Sequence, residues 1–284
     1  MPELPEVETT RAGLAPHLLG RRVVAATLRR ADLRWPIAAE ISGVLPGQRI
    51  LAVRRRAKYL LIDTAAGSAL LHLGMSGSLR VLPAETPLRP HDHVDLLLDV
   101  PAGSAEPGRV LRFNDPRRFG CLLWQAPGQQ HPLLAGLGPE PLATEADFDG
   151  PSFDAAHLFA LSRGRSAPVK TFLMDQRVVV GVGNIYAAEA LFMAGVAPHR
   201  AAGKVSLARY ALLVSAVTSI LSHAVRRGGT TLRDFISPDG APGYFEQELS
   251  VYGRGGEPCR RCGAPLRQSS IGQRASVWCR RCQR

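Results

Sequence analysis

Two closely spaced pairs of cysteines are the strongest constraint on how this 284-residue chain can fold. Cys259 and Cys262 form one pair, Cys279 and Cys282 form the other, and sixteen residues separate the pairs. Two residues between cysteines let both thiolates of a tight turn reach one ion, and two such turns on a hairpin complete a tetrahedral site. The spacing predicts one structural Zn²⁺ ion. Because four thiolates leave no open coordination position, we expect this ion to stabilise the fold rather than to catalyse.

Disulfides or a redox pair are the alternatives for these cysteines. The chain opens without the charged and apolar segments of a secretory signal, so we expect a reducing, cytoplasmic compartment in which metal binding is favoured over disulfides. The remaining cysteine, Cys121, lies in an apolar run and is expected to be a small core residue. The most apolar stretch, residues 207–225, carries Arg209 and His223 and has helical spacing, so it is interpreted as a core helix rather than a membrane span.

The charge balance favours a polyanionic partner. The chain has 35 lysines and arginines against 24 aspartates and glutamates, a formal net charge of +11. Seven arginines and no acidic side chain lie between Cys259 and the last residue. A metal-stapled hairpin with this charge is expected to bind the phosphates of a nucleic acid. A solvated run of charge, or a bias in genomic base composition, is the alternative.

The hydrophobic periodicity changes along the chain and divides it into an α+β architecture. Strand-like runs fill residues 1–130 after a first helix, which predicts an antiparallel β domain. A segment rich in proline and glycine, 131–150, is the expected linker. Helical spacing follows over 151–246, and the cysteine hairpin occupies 247–284.

The segment "VVVGVGNIYAAEALF" superficially matches a dinucleotide-binding fingerprint. Gly181 and Gly183 precede a helix, but Tyr186 occupies the position of the third glycine and no βαβ unit surrounds the segment. We therefore interpret residues 167–195 as helix, turn and helix, with Asn184 at the start of the second helix. Backbone N–H groups there can receive a phosphate. An ordinary capped turn explains the same residues.

The opening octet, "MPELPEVE", has two interpretations. Pro5, Glu6 and Glu8 suit the first turns of a helix, where acidic side chains offset the helix dipole. Removal of the initiator methionine would make Pro2 a secondary amine, able to attack C1′ of a sugar and form an iminium ion. Glu3 would then be placed to move protons. On these residues alone, a plain helix start remains the alternative.

Eight segments, spread in order from residue 2 to the end of the chain, resemble the bacterial formamidopyrimidine-DNA glycosylase family. They are "MPELPEVE", "RRAKYLL", "HLGMSGSLR", "NDPRRFG", "GVGNIYAAEALF", "GGTTLRDF", "PGYF" and "QRASVWCRRCQ". The resemblance implies a β-sandwich flanked by helices, then a helix-two-turn-helix domain and a four-cysteine zinc-finger hairpin. It also implies a base-excision-repair enzyme that removes oxidised purines from double-stranded DNA and nicks the strand at the abasic site by β,δ-elimination. We expect a monomer.

The resemblance also implies roles for individual residues. Pro2 would be the Schiff-base nucleophile, Glu3 a proton donor, Lys58 the proton donor in β-elimination, Arg274 the proton donor in δ-elimination, and Glu6 a support of the active site. Side chains that fill the space left by a flipped base would be Met75, Arg117 and Phe119. DNA-binding residues would be His72, His91, Arg117, Lys170 and Asn184.

Each of these residues also has an ordinary structural interpretation. Lys58 and Arg274 could be basic surface residues, Met75 and Phe119 core residues, and Arg117 a surface arginine. A metal site at His91, Asp92 and His93 is disfavoured because no further ligand has useful spacing. The glycine-rich stretch 228–244 would be a lid over the flipped base, or only a loop.

Two rival functions remain. An endonuclease VIII-like glycosylase for oxidised pyrimidines shares the N-terminal proline and the zinc hairpin, but "PELPEVE" and "MSGSLR" favour the purine enzyme. The second rival is a non-catalytic zinc-ribbon protein that binds nucleic acid. Retention of Met1 in the mature protein would favour it, because a blocked Pro2 cannot attack.

Overall fold

A computed structural model describes residues 2–100, 108–142, 151–229 and 248–284. The described residues form two compact units, one made of 2–135 with 228–229 and the other of 136–227 with 248–284. Most of the predicted lid, and part of the predicted linker, lie outside the described residues.

The first unit is built on two antiparallel four-stranded sheets. One has the strand order β1-β6-β7-β5 and the other β2-β3-β4-β8. The strands are β1 Val23–Leu28, β2 Ala52–Arg56, β3 Tyr59–Thr64, β4 Gly67–His72, β5 Ser78–Pro83, β6 Asp92–Leu98, β7 Arg109–Asn114 and β8 Cys121–Gln125. Alternating apolar side chains of both sheets share one core, to which Leu60, Leu71, Leu96 and Leu111 belong.

Two helices flank this sandwich. Helix α1, Leu4–Leu18, adds Val7, Leu14 and Leu18 to the shared core, and the short helix α2, Glu40–Gly43, adds Ile41. The predicted fold class is thereby confirmed for the N-terminal part of the chain. Cys121 is fully buried at the start of β8, as expected for a small core residue, and this burial raises the pKa of its thiol to about 12.

Three of the strand-like runs in the sequence are each divided into two strands by a tight turn or loop. Ala57 and Lys58 form a two-residue turn between β2 and β3, because Arg56 pairs with Tyr59. Residues 73–77 separate β4 from β5, and residues 115–120 separate β7 from β8. These three connections carry Lys58, Met75, Arg117 and Phe119.

The second unit combines helices with a two-stranded hairpin. Its helices are α3 Ala155–Ser162, α4 Val169–Leu173, α5 Asn184–Met193 and α6 Leu207–Arg226, with a 3-10 turn at Ala202–Lys204. The hairpin strands are β9 Arg267–Ile271 and β10 Arg274–Trp278. The predicted helical domain with a helix-turn-helix and a cysteine hairpin is confirmed.

Helix α6 is the one helix in the described part of the chain that is long and apolar enough to cross a membrane. It packs against α3 and α5 and buries Tyr210, Leu213, Val217 and Leu221. The side chain of Ser206 accepts a hydrogen bond from the Arg209 N–H and caps the first turn. These contacts are those of a core helix.

Candidate active site

The N-terminal residues are held by a reciprocal capping box. Glu3 is the N-cap of α1, and its side chain accepts a hydrogen bond from the backbone N–H of Glu6. In return, Glu6 Oε2 accepts the backbone N–H of Glu3 at 2.8 Å. Pro2, Glu3 and Glu6 are all buried. Helix α1 begins at Leu4, so Pro5 is its second residue. The capping box fixes the direction in which the chain leads from Pro2 into the helix.

The turn that carries Lys58 is tied to the same helix through Arg55. The Arg55 guanidinium donates to Glu8 Oε2 at 3.0 Å and to the Ala57 carbonyl oxygen at 2.9 Å. Ala57 has φ of +54°, a left-handed conformation that costs a residue with a side chain about 1 kcal/mol. Lys58 itself is only 7% exposed. Lys58 is therefore buried, and its turn is held by hydrogen bonds of Arg55. An ordinary basic surface residue would be exposed, so that alternative does not fit Lys58.

His72, the last residue of β4, is a neutral imidazole. Its Nδ1 accepts the N–H of Gly74 at 2.9 Å, and its ring lies 4.9 Å from that of Tyr59. Burial, together with the positive charges of Lys58 and Arg34, lowers the pKa of His72 to about 4. With Nδ1 as an acceptor, the ring proton is on Nε2, which can donate to a phosphate oxygen.

Phe119 and Arg117 form an exposed pair on the loop before β8. Phe119 is 45% exposed, and the Arg117 guanidinium carbon lies 4.9 Å from the centre of its ring. Met75, on the loop before β5, is half-buried. The alternative of a core phenylalanine does not fit Phe119, because nearly half of its surface is exposed.

His91 lies exposed, with φ of +72°, just before β6. Its two neighbours have structural partners. Asp92 accepts hydrogen bonds from the Arg89 N–H and from Asn114 Nδ2, while His93 Nε2 lies 2.9 Å from the carbonyl oxygen of Asp115. These contacts give Asp92 and His93 structural roles beside the exposed His91.

In the second unit, Asn184 is the first residue of α5, and the N-cap residue Gly183 provides no side-chain cap. Asn184 Nδ2 lies 3.4 Å from the Ala275 carbonyl oxygen, while Oδ1 is buried without a hydrogen-bond partner among the described residues. The preceding turn is held by Gln176, whose Oε1 accepts the N–H of Gly181 at 3.0 Å. Gly181 has φ of +81°, which explains a glycine there without a dinucleotide site.

Lys170 is fully buried, which the sequence did not indicate. Its ammonium group donates to Ser276 Oγ at 2.7 Å and to the Ala275 carbonyl oxygen at 3.2 Å. In this arrangement the lysine fastens α4 to strand β10. The DNA-contacting role that the resemblance implies for Lys170 therefore requires its ammonium group to become accessible.

Arg274 is exposed and begins β10 directly after a two-residue turn. Both turn residues, Gly272 and Gln273, have positive φ, which is the geometry of a type I′ hairpin. A Cβ atom at position 272 would lie 2.6 Å from Thr171 Cγ2 on α4. The turn of the hairpin is thus packed closely against α4. This contact supports the start of β10, where the exposed Arg274 lies.

The four cysteines form one cluster. The Sγ atoms of Cys259 and Cys282 are 3.9 Å apart, those of Cys262 and Cys279 are 3.5 Å apart, and all four lie within 4.8 Å of one another. Tetrahedral Zn²⁺ with Zn–S bonds of about 2.3 Å requires sulfur atoms about 3.8 Å apart. The residues fit the ion, and the predicted zinc site of four cysteines is confirmed. A small core of Ala188, Phe192, Val251, Leu266 and Val277 surrounds it.

Two buried carboxylates with structural roles were missed in the sequence. Glu189, on α5, accepts the backbone N–H groups of Ser250, Val251 and Tyr252 at 2.7–2.9 Å. Asp115, fully buried, accepts hydrogen bonds from Ser76 and Gly120. A lone acidic residue in the apolar run "NIYAAEALF" was the available signal for Glu189.

Three family models match successive parts of the chain. Residues 1–122 match the formamidopyrimidine-DNA glycosylase N-terminal domain, residues 137–236 the H2TH domain of that enzyme, and residues 256–284 the zinc finger found in FPG and IleRS. A formamidopyrimidine-DNA glycosylase of Stenotrophomonas maltophilia is 72% identical over 284 residues and the full length of both chains. The chain belongs to the formamidopyrimidine-DNA glycosylase family.

Other members of the family are also similar to this chain over its full length. The formamidopyrimidine-DNA glycosylase of Xanthomonas oryzae is 67% identical over 285 residues. The crystal structure of the MutM (FPG) protein from Thermus thermophilus aligns with a TM-score of 0.84 at 38% identity, covering 99% of this chain and 98% of that one. A Lactococcus lactis FPG mutant in complex with DNA containing Fapy-dG aligns with a TM-score of 0.86 at 29% identity, covering all of both chains.

Proposed function

We propose that this chain is a bifunctional DNA glycosylase and AP lyase of base excision repair. Its substrates are 8-oxoguanine and formamidopyrimidines in double-stranded DNA, together with abasic sites. The proposal is supported by full-length relatives named for this activity and by solved relatives in complex with DNA containing Fapy-dG or carbocyclic 8-oxo-G. A net charge of +11 suits such a partner. The enzyme would act as a monomer in the bacterial cytoplasm.

The chemistry begins at the nitrogen of Pro2 after removal of Met1. This nitrogen attacks C1′ of the lesion nucleotide, the glycosidic C–N bond breaks, and the base leaves with a proton. Glu3, whose side chain caps α1 beside Pro2, is the proposed proton donor. The C1′–O4′ bond then breaks as O4′ takes up the proton that the Pro2 nitrogen loses. The product is an iminium ion between Pro2 and the opened sugar, which acidifies the C2′ proton.

Two eliminations follow from the iminium ion. Loss of the C2′ proton expels the 3′ phosphate, and a second elimination expels the 5′ phosphate, so the strand is left with a phosphate on each side of a gap. We assign Lys58 as the proton donor in the first elimination and Arg274 as the donor in the second. Hydrolysis of the remaining iminium frees Pro2. Glu6 supports the site by holding the Glu3 N–H.

The base must leave the helix before Pro2 can reach C1′, and a void remains in the stack. We propose that Met75, Arg117 and Phe119 fill it. An aromatic ring 45% exposed to solvent, with a guanidinium stacked on it, is suited to insertion between bases. The zinc site holds the arginine-rich hairpin, and the proposed contacts to DNA are His72, His91, Arg117, Lys170 and Asn184.

The observation that carries the proposal is the capping box at residues 3–6, which fixes the backbone next to Pro2 in a chain that matches its relatives over their whole length. Its test is product analysis on duplexes with one 8-oxoguanine or one oxidised pyrimidine, each opposite a normal partner. We expect preferential cutting of the 8-oxoguanine strand, with phosphate at both ends of the gap. Preference for the pyrimidine would support the endonuclease VIII-like alternative, and binding without cutting would support a non-catalytic protein.

A further inference from the structure

The loops that carry the proposed void-filling residues lie directly against each other. Gly74, in the first loop (residues 73–77), has φ of +64°. A Cβ atom at this position would lie 2.3 Å from the Phe119 carbonyl carbon and 2.4 Å from the Gly120 nitrogen, both in the second loop (residues 115–120). Since such contacts are shorter than any van der Waals separation, the backbones of the two loops touch. The backbone of Gly74, the residue before Met75, is therefore held directly against the backbone of Phe119 and Gly120.

One buried carboxylate joins both loops. Asp115 Oδ1 accepts the hydroxyl hydrogen of Ser76 at 2.8 Å, and Oδ2 accepts the N–H of Gly120 at 2.8 Å. Ser76 Oγ in turn accepts the N–H of Arg117 at 3.2 Å. The carboxylate thus reaches the residue after Met75, the residue after Phe119 and, through Ser76, the backbone of Arg117.

The main chain of Asp115 fixes the pair of loops to the sheet. Its N–H donates to the His91 carbonyl oxygen at 3.1 Å, and its carbonyl oxygen lies 2.9 Å from His93 Nε2. Asp115 is fully buried and Ser76 is 4% exposed. In the described part of the chain, no lysine or arginine forms an ion pair with Asp115, and its two carboxyl oxygens are held by directional hydrogen bonds.

We propose that Asp115 and Ser76 are positioning residues that hold Met75, Arg117 and Phe119 as one preformed wedge for base extrusion. The inference rests on the void-filling role in the proposed function. A wedge that is ordered before DNA binds does not lose loop entropy during extrusion, so the hydrogen bonds lower the barrier to that step. Neither residue touches the reacting atoms in this account.

The test compares two substrates that differ in whether a base must be extruded. Ser76→Ala and Asp115→Asn proteins, the clamp variants, are assayed under single turnover on duplex DNA with 8-oxoguanine, and on single-stranded DNA with a preformed abasic site. Ser68→Ala is the matched control, because Ser68 on β4 is also buried and donates to Asp63 at 2.6 Å. We expect each clamp variant to excise 8-oxoguanine about tenfold more slowly, with strand cleavage at the single-stranded abasic site and melting temperature close to wild type. Ser68→Ala should leave both rates unchanged.

Equal losses on both substrates, or full excision by both clamp variants, would overturn the proposal. A fluorescent adenine analogue placed beside the lesion gives a second measurement, since its signal rises when neighbouring bases unstack. The clamp variants should delay that rise, whereas a purely structural defect would lower its amplitude in proportion to unfolded protein. If the wild-type protein cuts neither substrate, the proposed function itself fails, and the clamp proposal fails with it.

Discussion

At the scale of single residues, Glu6 shows how much of a side chain's role the local sequence can predict. Its position in the first turn indicates an interaction with the helix dipole. The structure adds full burial, a hydrogen bond to the Glu3 N–H, and close approach to Gly229, where a Cβ atom would lie 3.0 Å from Glu6 Oε1. The last contact could not be predicted, because it joins residues from distant parts of the sequence.

His72 makes the stability of the protein depend on pH. Its pKa is about 4 in the folded protein and near the ordinary value of 6.5 in the unfolded chain. Between pH 6.5 and 4 the unfolded chain binds a proton at His72 that the folded protein does not. The free energy of unfolding should therefore fall as pH is lowered through this window, and be independent of His72 above about 6.5.

The measurement is urea-induced unfolding of wild type and His72→Asn at about pH 7.5, 5.5 and 4.5, which spans the titration of His72. Asparagine keeps an acceptor for the Gly74 N–H without titrating in this range. We expect the advantage of wild type over the variant to shrink steadily on acidification. A difference independent of pH would contradict the assignment of a neutral, buried imidazole.

At the scale of elements, strand periodicity predicted the sheets but not their ends. The runs "ILAVRRRAKYLLID" and "RVLRFNDPRRFGCLLW" have strand-like composition throughout, and local propensity does not distinguish one strand from two. Pairing of Arg56 with Tyr59 shows where the first run turns. The turn residues include Ala57 in a left-handed conformation, a position at which sequence statistics favour glycine or asparagine.

Lys170 and Glu189 show the limit of prediction for helical residues. Both are charged and both are buried, because each satisfies groups on a distant segment: Lys170 on β10 and Glu189 on residues 250–252. Hydrophobic periodicity identified their helices correctly. It could not identify the partners, since these lie 61 to 106 residues away along the chain.

The Glu189 carboxylate should be one of the largest single contributions to the stability of the second unit. Replacing it by alanine leaves three backbone N–H groups without their acceptor, so we expect Glu189→Ala to lower the free energy of unfolding by about 2–4 kcal/mol. Trp278, the only tryptophan after Trp124, reports unfolding near the zinc site through its fluorescence.

Two further variants serve as controls for the loss of stability in Glu189→Ala. Glu189→Gln retains one carbonyl oxygen and should lose less stability than the alanine variant. Glu257→Ala removes a mostly exposed partner of Arg254, and should cost less than about 0.5 kcal/mol. Similar losses for Glu189→Ala and Glu257→Ala would show that the three hydrogen bonds contribute little.

At the scale of the whole molecule, the zinc site should control DNA binding through the packing of the hairpin. Its core includes Ala188 and Phe192 of α5, the helix that begins with Asn184. Removal of the ion leaves four thiolates without a common partner, so the hairpin should unfold. A strong chelator should abolish DNA binding and strand cleavage, and added Zn²⁺ should restore both.

Metal content and DNA affinity are measured together in this experiment. Cys279→Ser should lose the ion and bind DNA weakly, whereas Cys121→Ser, which alters a cysteine outside the cluster, should retain one zinc per chain. Metal-free protein that binds DNA as tightly as the intact protein would exclude a structural requirement for the ion.

The net charge and composition of the sequence narrowed the possible functions less than the order of its motifs did. Net charge and seven arginines in the hairpin indicated a polyanion but not a reaction. The roles of Pro2 and Glu3 came from the family resemblance, because a proline and a glutamate at a helix start have an adequate local explanation. The stretch 230–244, which belongs to the expected lid, lies outside the described residues.

Trapping with borohydride tests whether Pro2 is the nucleophile. The protein is incubated with a duplex containing 8-oxoguanine opposite cytosine, borohydride is added to reduce any iminium ion, and the adduct is mapped by peptide mass spectrometry. We predict a stable protein–DNA adduct on the N-terminal peptide, at the nitrogen of Pro2, and none in protein that retains Met1. An adduct on a lysine, or strand cleavage without any adduct, would exclude Pro2 as the nucleophile.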